Sequence, residues 1–84
     1  MARRNAPLCA NPAVPIAARL AHAVTAYDRR QANRRHYNVY ALPQYLARAQ
    51  DVASRIAKGA SVRDAVSAGF SGSLQAFILK ALDA

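Results

Sequence analysis

ALPQYLARAQDVASRIAK, residues 41–58, decides the fold class. Its apolar residues Leu42, Tyr45, Leu46, Ala49, Val52, Ala53 and Ile56 recur every three or four positions, the spacing of one face of an α-helix. Gln44, Arg48, Asp51, Arg55 and Lys58 fall on the opposite face. Asp51 lies four residues before Arg55, the favourable order for a helical ion pair, worth about 0.2–0.5 kcal/mol. Pro43 disfavours helical backbone at Leu42. Regular helix is therefore expected from Pro43, after at most a single turn capped by Asn38, and Gly59 closes it.

Upstream, Pro15 suits the first turn of a helix, and Ile16, Leu20, Ala23, Val24 and Tyr27 form a second apolar stripe. Arg19, His22, Arg29 and Arg30 lie off that stripe, and the pattern predicts a helix over residues 15–33. Its end carries RRQANRRH, residues 29–36, a basic cluster that suits a helix C-terminus. Asn33 or Asn38 is the residue expected to take the left-handed turn beyond it. Before Pro15, the prolines at 7 and 12 break helices, so residues 1–14 read as a flexible N-terminal tail and residues 15–84 as a single helical domain.

Downstream, Ser61-Val62-Arg63-Asp64 has the spacing of a capping box, with Asp in place of Glu. It opens a short helix bearing Val62, Ala65 and Val66. Gly69 is expected at the position that ends it, with positive φ, and Phe70 is expected to fold back onto the core. Ser71 or Ser73 caps a last helix whose Leu74, Phe77, Ile78, Ala81 and Leu82 face inward. Leu79 widens that apolar arc, which means a helix sandwiched inside the domain or one that also meets a second copy of the chain. Leu79 is thus the candidate oligomer contact of a homodimer. Together the segments predict an all-α fold: a small bundle of about four helices, two longer ones as an antiparallel hairpin and two short C-terminal ones packed over them.

With 84 residues the core is modest: roughly 60–65 % of the unfolded chain's surface is buried at this size. Cys9 is the single cysteine, which excludes an internal disulfide. Cys9, His22 and His36 form no spaced ligand pair, so neither a metal nor another cofactor is expected. No apolar run has the length of a bilayer span, and a cytoplasmic protein is expected.

The formal charge is +8, from twelve basic residues against four aspartates and no glutamate. Catalysis is poorly supplied: two-carboxylate acid–base chemistry has no close pair to use, no local motif presents a nucleophile, and no catalytic residue is assigned. Residues 61–82 have the Ala65/Gly69 spacing of a helix-turn-helix. Their second helix, however, offers only Gln75 and Lys80 to base edges, and we reject it as a reading helix.

Residues 29–45 are the stronger signal. There Arg29, Arg30, Arg34, Arg35 and His36 are interleaved with Tyr37 and Tyr40. Arginine neutralises phosphates and tyrosine stacks on exposed bases. Tyr27 and Tyr45 sit on the core stripes and are expected to line the contact between the two long helices. The expected function is a small non-enzymatic nucleic-acid-binding protein. The alternative is a protein–protein module, an inhibitor or adaptor of the kind phages and mobile elements encode. Such a module would dock the same arginines and tyrosines, residues enriched at interface hot spots, on an acidic protein surface.

Overall fold

The structure, a computed structural model, describes residues 8–32 and 41–83. They form a 3₁₀ turn, Leu8–Ala10, and four helices: α1, Ile16–Gln31; α2, Ala41–Ala57; α3, Val62–Gly69; and α4, Gly72–Ala81. No strand occurs among the described residues, and the helices pack as a small bundle.

The two long stripes behave as their periodicity requires. Leu20, Ala23 and Val24 of α1 and Ala49, Val52 and Ala53 of α2 are buried, while Ile16, Tyr27, Leu42, Tyr45, Leu46 and Ile56 pack around them. Leu20, Val24, Val52, Val66 and Ile78 are the large side chains most completely removed from water. Each contributes about 1.5–3 kcal/mol by burial. Tyr27, near the end of α1, meets Tyr45, near the start of α2, with ring centroids 6.3 Å apart. That contact fits an antiparallel pair.

α2 includes Ala41 and Leu42 ahead of Pro43, so the restriction that a proline places on the residue before it does not keep Leu42 out of the helix. Gly59 closes the helix as expected, with φ of 113°. Its N–H donates to Ile56 O at 3.0 Å, and the Ala60 N–H donates to Arg55 O at 3.1 Å. This pair of bonds is a Schellman closure. Asp51 and Arg55 pair at 3.2 Å on the exposed face.

α3 opens with the Asp64 N–H donating to Ser61 Oγ at 3.1 Å, the serine half of the capping box. Its other end differs from expectation. Gly69 is the last residue of the helix, and the glycines with positive φ are Gly59 and Gly72. What Gly69 provides is room: a Cβ there would collide with a methyl group of Val52. Phe70 is extended and buried, as expected.

α4 runs antiparallel to α1. Arg19, near the start of α1, donates from Nη2 to Leu82 O at 3.2 Å, while the Tyr27 hydroxyl meets Ser73 Oγ at 2.7 Å. The steps from 19 to 27 and from 82 to 73 both measure about 12–14 Å along a helix, so the two contacts are in register. Ser71 is the N-cap of α4 but its side chain makes no capping bond.

The 3₁₀ turn ahead of Pro15 packs on the bundle. Cys9 is 8 % exposed and belongs to the core, and Arg19 Nε donates to Cys9 O at 2.7 Å. One guanidinium therefore holds both the N-terminal turn and the end of α4 against α1. The first seven residues of the expected tail lie outside the described residues.

Candidate nucleic-acid interface

Arg29 and Arg30 occupy the last turn of α1 and are exposed. Their charges lie at the negative end of the helix macrodipole, which favours them there. Arg34, Arg35, His36, Tyr37 and Tyr40 lie outside the described residues. The described part of the cluster is its α1 side.

That side is a groove between α1 and α4. Tyr27, Arg30 and Gln31 form one wall at helical spacings of three and four. Ser73, Phe77 and Lys80 form the other, again one stripe of a helix. The antiparallel docking of α4 brings the two stripes face to face. The half-buried Phe77 ring meets Tyr27 edge-on, with centroids 5.4 Å apart and planes at 65°. The Arg30 guanidinium carbon lies 5.5 Å from the centroid of the Phe77 ring, within cation–π range. Lys80 is exposed on the same groove, and among the described residues no carboxylate lines it.

The arrangement combines two cations with aromatic rings, open to solvent between two helices. It supplies no acid–base pair and no nucleophile beyond the Ser73 and Tyr27 hydroxyls, which bond each other. Cations beside aromatic rings are chemically suited to a ligand that carries negative charge and a flat ring.

The sequence pattern points to Arg30 but assigns Phe77 to the core and gives Lys80 no role. The signal for both is the repeat of positions 73, 77 and 80, spaced four and three apart, beside the 27–30–31 stripe. It becomes readable only once α4 is known to lie on α1. Leu79, the candidate oligomer contact, is 9 % exposed and packs in the chain's own core. Its apolar character is accounted for without a second copy. Gln75 of the rejected helix-turn-helix reading donates from Nε2 to Ser67 Oγ at 2.9 Å, which ties α4 to α3.

Among the described residues no helix is long and apolar enough to cross a membrane. Comparison with protein-family models, curated proteins and solved structures finds no match to this chain.

Proposed function

We propose that this is a small non-enzymatic protein that binds nucleic acid through the basic, aromatic surface at the end of α1 and acts in the cytoplasm. The observation that supports the reading most is the exposed Arg29–Arg30 pair, with Arg30 over Phe77 and Lys80 across the groove. The residues proposed to bind are Arg29, Arg30, Arg34, Arg35, His36, Tyr37 and Tyr40. A net charge of +8 on 84 residues adds long-range attraction for a polyanion.

Binding of DNA and RNA at two salt concentrations tests the reading. Replacing Arg29, Arg30, Arg34 and Arg35 with Gln is expected to weaken binding. The salt slope should shrink by roughly 0.7–0.9 for each phosphate that is no longer neutralised. A variant that binds with unchanged affinity and slope would remove the surface from consideration. Stoichiometric recovery of one acidic protein after nuclease treatment would put the protein–protein reading in its place.

A further inference from the structure

We propose that the α1–α4 groove holds an unstacked base of a single-stranded nucleic acid, with the base plane against Phe77 and the Arg30 guanidinium and the adjacent phosphate near Lys80. The proposal rests on the nucleic-acid reading above and specifies its ligand. It also brings in residues outside the arginine cluster.

Three features select a single strand. The aromatic surface sits between two helices rather than on a protruding tip, and Phe77 is only half exposed. A duplex keeps its base faces stacked inward and offers only edges and backbone, so it cannot meet that ring; a single strand can turn a base out onto it. Second, both groove cations flank the aromatic floor, Arg30 from α1 and Lys80 from α4. This matches a ligand in which charge and flat ring alternate along one chain. Third, Arg30 is exposed, and its contact with Phe77 is of the weak solvent-accessible kind. It exchanges the ring for the face of a base at little cost, because guanidinium planes stack on bases as they do on aromatic side chains. Gln31 on the rim adds an amide donor and acceptor for a base edge. A purely acidic polypeptide such as polyglutamate would satisfy the two cations and leave the aromatic floor without a matching partner.

The test uses the full chain, with a labelled oligothymidylate and a mixed-sequence duplex of equal length, read by fluorescence anisotropy. The single strand is expected to bind more tightly. Phe77→Leu, which keeps apolar bulk and removes the π-face, should weaken single-strand binding by roughly fivefold or more. Duplex binding should change by less than about twofold, since backbone charge is intact. Lys80→Gln alters an exposed side chain and is expected to leave the fold intact, which urea unfolding checks. It should shrink the single-strand salt slope by roughly 0.7. If Phe77→Leu and Lys80→Gln both bind the single strand as the parent does, while the quadruple arginine variant loses binding, the groove proposal is overturned and the basic-surface reading stands. If the parent chain binds neither oligonucleotide, both fall. Binding of polyglutamate that Lys80→Gln weakens, with no oligonucleotide bound, would assign the groove to an acidic protein instead.

Discussion

The contact between α2 and α3 and the contact between α1 and α4 are built on opposite plans. At the first, a glycine lets two helices close on each other: Gly69 has no Cβ to hold Val52 away. At the second, Tyr27 and Phe77 separate the helices, a hydroxyl pair bridges them, and a groove remains. Helix separation follows the size of the side chains at the contact. At Gly69 the close face leaves no room for a side chain. The open face keeps half-exposed rings and solvated cations, so its residues can be altered at small cost to the fold. A binding surface is therefore expected on the second and tight packing constraints on the first.

The largest effect should come from breaking the close face. Gly69→Val places atoms where the Val52 methyl already sits. Overpacking of this kind costs typically 1–3 kcal/mol, and we expect about 2–3. For a domain of this size that lowers Tm by about 10–20 °C. Val52→Ala destabilises the parent by emptying a buried position, yet in the Gly69→Val background it should restore space. The double-mutant cycle should show a favourable coupling of about 1 kcal/mol or more. Additive effects in urea unfolding would mean that close approach is not what Gly69 supplies.

Gly59 gives the contrast, because it is required for a different reason. Its φ is 113° and nothing lies within 4 Å of a Cβ built there. Gly59→Ala should therefore cost backbone strain alone, of order 1–3 kcal/mol. Val52→Ala should not relieve it. A coupling between positions 59 and 52 as large as that between 69 and 52 would erase the distinction.

These two glycines show how far the sequence could be read. Both follow an apolar stripe, and a glycine after a stripe is the usual sign of a left-handed closure. At Gly59 that inference holds. At Gly69 the glycine serves a contact with Val52, seventeen residues upstream, and local spacing carries no trace of it. The stripes of α1 and α2 were legible because burial enforces their period. The N-terminal turn was not: Cys9 sits among prolines, and the bond that fixes it comes from Arg19, a residue that local pattern assigns to solvent. Arg19 also reaches Leu82, 63 positions away. The candidate site divides the same way. Arg29 and Arg30 were legible from charge alone. Phe77 and Lys80 required the antiparallel docking of α4, which only tertiary structure supplies.

The smallest predicted effect tests the open face. Arg29 and Arg30 are adjacent and exposed in the last turn of α1, so both gain from the macrodipole. Arg30 lies over the Phe77 ring and lines the groove with Lys80. For Arg29→Gln the missing dipole interaction and the relieved repulsion oppose each other, each a few tenths of a kcal/mol. Its stability should match the parent within about 0.5 kcal/mol. Arg30→Gln forfeits in addition an exposed cation–π interaction of about 0.5–1 kcal/mol, and it should be the less stable of the two. Phe77→Leu removes the partner ring, so in that background the two arginine variants should become equal. Urea unfolding of the five variants, each repeated at high salt, decides the point. Repulsion and dipole effects are screened by salt, whereas a gap between Arg29→Gln and Arg30→Gln that comes from direct contact with the ring should largely persist. A gap that vanishes in salt but survives Phe77→Leu would mean that Arg30 is held by the field of the helix end, and that the groove lacks the ring-and-guanidinium pair on which stacking of a base depends.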